Sequence, residues 1–190
     1  LLSKLNKKKI NVVECGIGAG ESLSYICKIS KLLDIEANIW AFDSFEGFPK
    51  STIEDEGKYK AGNIKPHYKL YNIKFVKNYM KKFDIEEHEI EKINFVKGFF
   101  PESFQNYNSD KIDFLHLDVD LYNSYKNCLE FFWKYLNKGS LVLFDEYKSK
   151  SDLYKWPGAS KAIDEFFTKK NLNKENIQQE KFFNKSFFEL

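Results

Sequence analysis

Short apolar runs recur along the chain, and longer stretches separate them in which apolar residues return every three or four positions. The runs INVVEC (10–15), NIWAFD (38–43), KINFVKG (92–98), KIDFLHLD (111–118) and SLVLFDE (140–146) have the length and the β-branched and aromatic content of buried strands. Leu23, Ile26, Ile29 and Leu33 space as one helix face; Ile73, Val76, Tyr79, Met80 and Phe83 space as another. Leu129, Phe132, Trp133 and Leu136 mark a third, with Gly139 as its stop signal, and a fourth lies around Ala162 to Phe167. These stripes read as packing faces, not as sites. Strands alternating with helices predict an α/β fold, a mostly parallel sheet with helices on both faces. The tail NIQQEKFFNKSFFEL carries two short stretches about Asn184 and Lys185, which predicts a C-terminal antiparallel hairpin. Two weakly patterned segments, 49–71 and 147–158, read as surface loops, the first as a cover for a site.

Composition narrows the class without naming a function. With 190 residues, 43% of them hydrophobic, the chain supports one core, and residues 1–190 are expected to form a single domain. The 30 basic and 28 acidic residues nearly cancel, and no basic block is interleaved with aromatics, so nucleic acid is not an expected partner. Three cysteines without CxxC spacing argue against a disulfide framework or a structural zinc site and fit a reducing, cytoplasmic setting. No apolar run approaches the roughly 20 residues of a membrane span, and the first residues lack the features of a signal peptide. The first strand begins within about ten residues of Leu1, so an additional N-terminal segment is expected to belong to the natural domain.

Candidate chemistry begins at ECGIGAGES (14–22), between the first strand and the first helix, where an open parallel sheet binds nucleotide-like ligands. Gly16, Gly18 and Gly20 permit close backbone approach. The third glycine of a dinucleotide fingerprint would fall on Glu21, which disfavours a nicotinamide-dependent reductase. GxGxG preceded by Glu14 instead resembles the first motif of class I S-adenosylmethionine methyltransferases. Asp43 ends the second strand, where a carboxylate can accept both hydroxyls of a ribose. As single residues, Asp43 and Ser44 read better as helix caps; beside the glycine loop they join the candidate cofactor site.

The second constellation is acidic. Asp118 ends the fourth strand and Asp145 and Glu146 end the fifth, so all three fall at one edge of a parallel sheet. Carboxylates alone, without histidine or cysteine, are hard oxygen ligands that suit Mg²⁺ or another hard divalent cation, which would offset their mutual repulsion. Asp120 follows the end of its apolar run and reads as the start of the next helix or a support residue rather than a fourth ligand. His116 shares a face with Asp118 but ranks below the acids, because buried histidines are more often satisfied structurally.

Five segments together, AFDSFEGFP (41–49), FVKGFFPESF (95–104), FLHLDVDLYNS (114–124), LVLFDEY (141–147) and GASKAIDEFF (158–167), resemble the macrocin O-methyltransferase family of the TylF, MycF and NovP type. The resemblance covers roughly residues 10 to 170. It implies a Rossmann-like class I fold and transfer of a methyl group from S-adenosylmethionine, with Mg²⁺, to a hydroxyl of a sugar or glycosylated small molecule. Glu14, Gly16, Gly18 and Gly20 would then line the methionine part of the cofactor, Asp43 with Ser44 its ribose. Asp118, Asp145 and Glu146 would hold the metal, with Asp118 also the catalytic base. The chain departs from the pattern at Glu146, where DDY is usual, and in a 147–158 loop expected to be longer than usual. The family's N-terminal segment helps cover the active site and assemble oligomers, so a homo-oligomer is compatible with the resemblance. A catechol-type aromatic O-methyltransferase and a catalytically silent S-adenosylmethionine-binding domain are the alternatives, and aromatics in the two loops (Tyr59, Tyr68, Tyr71, Tyr154, Trp156) could stack on either kind of acceptor.

Overall fold

A computed structural model describes residues 1–58, 71–179 and 185–190. Five strands, β1 (Lys9–Cys15), β2 (Glu36–Asp43), β3 (Asn94–Lys97), β4 (Ile112–Leu117) and β5 (Leu136–Phe144), run parallel to one another. Two more, β6 (Gln178–Gln179) and β7 (Ser186–Glu189), form the expected C-terminal antiparallel pair, with β7 also antiparallel to β5. The sheet order is β3-β2-β1-β4-β5-β7-β6. The connections carry α1 (Glu21–Leu32), α2 (Ile73–Lys82), α3 (Glu87–Ile90), α4 (Tyr122–Phe132), α5 (Lys150–Lys155) and α6 (Pro157–Lys169).

Alternate side chains of each strand feed two separate cores. Val13 and Cys15 of β1, Trp40 and Phe42 of β2, Leu115 and Leu117 of β4, and Val142 and Phe144 of β5 pack with α4 and α6. Ile10, Val12, Ile39, Ala41, Phe114 and Leu141 pack on the opposite face with α1 and α2, joined by Leu2 and Leu5 from an N-terminal 3-10 turn. Burying a Phe or Leu side chain fully contributes roughly 1.5–3 kcal/mol relative to exposure, and Phe42, Phe132, Leu115 and Leu117 are all fully buried. The two cores therefore fix the strand register, and with it which residue at each strand end faces which way.

Three sequence expectations are corrected. The third helix ends at Phe132 and passes through a 3-10 turn, Trp133–Tyr135, directly into β5. Leu136 is thus the first residue of a strand, and Gly139 is a strand residue with φ +84°, beside a register shift between Ile112 and Phe114, not a helix stop. Helix and strand abut without a loop, so the two apolar periods merge in the sequence. The segment 147–158 is not simply a loop: it contains α5, capped by Ser149, whose hydroxyl accepts from the Asp152 amide, and the start of α6 at Pro157. The segment 49–71 contains a 3-10 turn, Ile53–Asp55, and its residues 59–70 lie outside the described residues. No helix among the described residues is long and apolar enough to cross a membrane.

Candidate active site

Because β1, β2, β4 and β5 are parallel, their C-terminal ends meet at one edge, where a cavity of about 970 Å³ opens. Gly16, Gly18, Asp43, Ser44, His116, Asp118, Asp120 and Asp145 are among its lining residues. Phe48, Pro49, Phe99 and Phe100 supply apolar wall, and Asn123 and Asn127 polar wall. Of the expected stacking aromatics, Tyr71 lines the cavity; Trp156 packs on Phe48 instead, with ring centroids 5.7 Å apart, and Tyr154 is exposed. Tyr59 and Tyr68 lie outside the described residues.

The three loop glycines have different physical reasons. At Gly16 a Cβ would stand 1.7 Å from the carbonyl oxygen of Asp118, so its absence lets the loop lie against the end of β4. At Gly20 a Cβ would meet Val76 of α2 at 2.7 Å. At Gly18 it would meet nothing within 4 Å, so there the loop leaves open space beside the cavity. All three have positive φ, which favours glycine. Asp43 turns back on the loop: Oδ2 accepts from the amides of Ile17 (2.7 Å) and Gly18 (3.3 Å), and Oδ1 from that of Phe45 (2.7 Å). The Ser44 hydroxyl donates to the Gly47 carbonyl at 2.6 Å and accepts from the Glu46 amide at 3.1 Å, closing the turn after β2.

Glu14 and Gly20 are not among the cavity-lining residues. Glu14 is fully buried, in register with His116 of β4, and its Oε1 lies 3.0 Å from His116 Nδ1 and accepts the Ser22 hydroxyl. Phe114, His116 and Asp118 are alternate residues, as are Leu141, Leu143 and Asp145, so both aspartates follow the face that packs on α1. His116, Asp118 and Asp145 each offer a ligand atom within 4.8 Å of the others. His116 Nε2 stands 3.9 Å from Asp145 Oδ1 and, though buried, has no hydrogen-bond partner among the described residues. Lys185, just before β7, pairs with Asp145.

Glu146 follows the other face. It is 3% exposed, outside the cavity lining, and its Oε2 accepts from the Tyr125 hydroxyl (2.8 Å) and the Asp120 amide (3.3 Å). It forms a second group of ligand atoms within 4.8 Å with Asp118 and Asp120. Asp118 is common to both groups, so the structure gathers the three acids read from the sequence into two overlapping sets. Asp120 has φ +54°, the turn its position after the strand suggested, and it lines the cavity beside Asp118.

Burial and the neighbouring Asp145 push the Asp118 carboxyl up to about 7. Burial and Asp118 raise Asp120, and burial and Asp120 raise Glu146. Burial alone would raise Asp145, but His116, Glu146 and Lys185 together hold it below the usual carboxylate range. Burial would lower His116, yet Asp145 and Glu14 carry it up to about 10. The cluster thus concentrates negative charge against two cationic side chains. His116 is buried and bonded to Glu14, and the alternation through Asp118 places it on the same face as the two aspartates. Lys185 had no local signal, since only the antiparallel return of β7 brings it to Asp145.

Three comparisons bear on this architecture. The family model described as macrocin-O-methyltransferase (TylF) matches residues 4–183. The mycinamicin III 3''-O-methyltransferase of Micromonospora griseorubida is 22% identical over 142 residues, covering 72% of this chain and 55% of that protein. The 8-demethyl-8-(2,3-dimethoxy-alpha-L-rhamnosyl)-tetracenomycin-C 4'-O-methyltransferase of Streptomyces olivaceus is 22% identical over 140 residues, covering 72% and 52%. The chain therefore spans about half the length of the curated relatives it matches. The solved structure of the O-methyltransferase NovP superposes with a TM-score of 0.77 at 20% identity, covering 95% of this chain and 71% of that one. The seven-stranded sheet with its antiparallel end is thus the Rossmann-like fold of methyltransferases.

Proposed function

Since the chain belongs to the macrocin O-methyltransferase (TylF) family, we propose that it transfers the methyl group of S-adenosylmethionine to a hydroxyl oxygen of a sugar or glycosylated small molecule, with a hard divalent cation such as Mg²⁺. The rhamnosyl group in the name of the tetracenomycin relative supports a sugar acceptor. One observation carries the reading: the Asp118 carbonyl packs on Gly16 of the cofactor loop while its carboxylate stands beside Asp145 in the same cavity.

The residues fit both groups. Gly18 leaves open space, and Asp43, fixed by three backbone amides, keeps one lone-pair site for a ribose hydroxyl of the cofactor. Asp118 and Asp145 would hold the cation, and Glu146 would reach it through the second acidic group that Asp118 shares. Raised Asp118 and the partnerless Nε2 of buried His116 both fit a bound positive charge. When bound, the cation supplies Lewis-acid activation of the acceptor hydroxyl and holds it in place.

The chain's own residues then perform three tasks. The glycine loop and Asp43 hold the sulfonium methyl toward the acid cluster, Phe48, Phe99 and Phe100 reduce the water around it, and Asp118 accepts the proton released by the acceptor. The carbon–sulfur bond breaks as the carbon–oxygen bond forms, leaving S-adenosylhomocysteine and a methyl ether.

Radiolabelled methyl transfer to a panel of nucleotide sugars, glycosides and catechols, with Mg²⁺ or with a chelator, tests the reading. Turnover on a sugar, lost with the chelator and reduced at least ~10³-fold in Asp118→Asn, is the expected result. S-adenosylhomocysteine should bind Asp118→Asn about as well as the wild type. Exclusive methylation of catechols, or full activity in Asp118→Asn, would overturn the assignment.

A further inference from the structure

We propose that His116 is a direct ligand of the divalent cation through Nε2, with Glu14 as the residue that positions its ring, so that the site takes Mn²⁺ or Co²⁺ in preference to Mg²⁺. The inference rests on the reading above that Asp118 and Asp145 hold a cation.

The two nitrogens of the His116 ring have different surroundings. Nδ1 is 3.0 Å from Glu14 Oε1, a carboxylate oxygen that is itself steadied by the Ser22 hydroxyl. Such a contact makes Nδ1 an N–H donor, and a cation that displaces the proton on Nε2 takes that nitrogen's lone pair. Carboxylate, imidazole and metal in that order is the arrangement by which proteins orient a ligating histidine. His116 is 4% exposed, and Nε2 has no hydrogen-bond partner among the described residues. Leaving a buried polar atom unpaired is costly, so a structural histidine would be expected to find a partner. The ring instead lines the cavity, with Asp145 Oδ1 at 3.9 Å, a gap that two ligand bonds of about 2.1 Å to a common ion can span.

Geometry at the strand ends supports the same set. Glu14, His116 and Leu143 are in register across β1, β4 and β5, and Asp118 and Asp145 follow on the face of His116. One ligand atom from each of His116, Asp118 and Asp145 lies within 4.8 Å of the others. Imidazole in the donor set favours first-row transition ions, whereas Mg²⁺ prefers oxygen alone. A purely structural role, in which a protonated ring only offsets Glu14 and Asp145, predicts no nitrogen on the metal.

Calorimetry on the metal-free protein with Mn²⁺, Co²⁺ and Mg²⁺, together with pulsed electron spin resonance of the Mn²⁺ complex, decides between them. The expected result is Mn²⁺ bound at least tenfold more tightly than Mg²⁺, with modulation from a directly bound ¹⁴N. His116→Asn should lose the ¹⁴N signal and about 10–100-fold in Mn²⁺ affinity while its Mg²⁺ affinity changes less than threefold. Glu14→Gln should weaken Mn²⁺ binding while retaining the ¹⁴N signal. Retained S-adenosylhomocysteine binding checks that each variant folds, and the wild-type spectrum remains decisive where one does not. Mn²⁺ binding without ¹⁴N coupling overturns the His116 assignment alone; no binding of any of the three ions overturns the cation reading with it.

Discussion

The two halves of the cavity share one sheet edge but are built on opposite principles. In the glycine-loop half, polar groups already answer one another: Asp43 takes three backbone amides, Ser44 closes its own turn, and Gly16 lies against the backbone of Asp118. In the acid half, Asp118, Asp120, Asp145 and Glu146 crowd together, and the carboxyls of all but Asp145 are pushed upward. The first half is a cradle whose polar groups are already hydrogen-bonded to one another. The second stores electrostatic repulsion that a cation would relieve. Substitutions should therefore have opposite signs in the two halves.

The largest effect is expected at Gly16. Alanine there combines φ +84° with a Cβ 1.7 Å from the Asp118 carbonyl oxygen, and backbone on both sides can give way only by separating β1 from β4. Gly16→Ala should destabilise the protein by at least about 3 kcal/mol and abolish S-adenosylhomocysteine binding. Gly18→Ala meets only the strain of φ +50°, and should cost about 1–2 kcal/mol. Urea unfolding midpoints measure both, and equal costs at the two positions would break the account of why each glycine is there.

Asp118 should behave in the opposite sense when no metal is present. Its carboxyl stands at about 7 in the fold, against about 3.9 in an unfolded chain. Between those values the folded state binds more protons than the unfolded one, so this residue's contribution makes stability fall as pH rises from 4 to 7. The loss is complete above pH 7. Asp118→Asn removes the charge, so metal-free Asp118→Asn should match the wild type near pH 4 and exceed it by up to roughly 4 kcal/mol at pH 8, each tenfold change in proton affinity being worth about 1.4 kcal/mol. A variant less stable than wild type at pH 8 would show that Asp118 is satisfied without an ion.

Much of this division was legible in the sequence. The five parallel strands, the glycine loop and Asp43 follow from apolar periodicity and from the position of each residue at a strand end. The divergence of Asp145 and Glu146 was legible too, since adjacent strand residues face opposite ways; Val142 and Phe144 carry Glu146 toward Tyr125, and Leu143 carries Asp145 toward the cavity. Treating both acids as one strand end hid that alternation. Gly139 was misread because no loop separates α4 from β5, so Leu136 completes a helical stripe while beginning a strand. The partner of Asp145 was not legible at all: Lys185 is distant in sequence and arrives through an antiparallel return whose register no local pattern sets.

That late-arriving lysine gives the smallest and most discriminating test of the contrast. Its ammonium sits against Asp145, 34% exposed at the side chain, and supplies part of the positive charge the acid half needs. An incoming cation must share Asp145 with it. Lys185→Met keeps the length and packing of the stem while removing the competing charge. Divalent-ion affinity should then rise, by about threefold to tenfold given how far solvent screens a partly exposed pair, while S-adenosylhomocysteine affinity, set by the other half, stays unchanged. If Lys185→Met weakened ion binding instead, the lysine would be holding Asp145 in place for the ion, and the acid half would be preorganised in the same manner as the glycine-loop half.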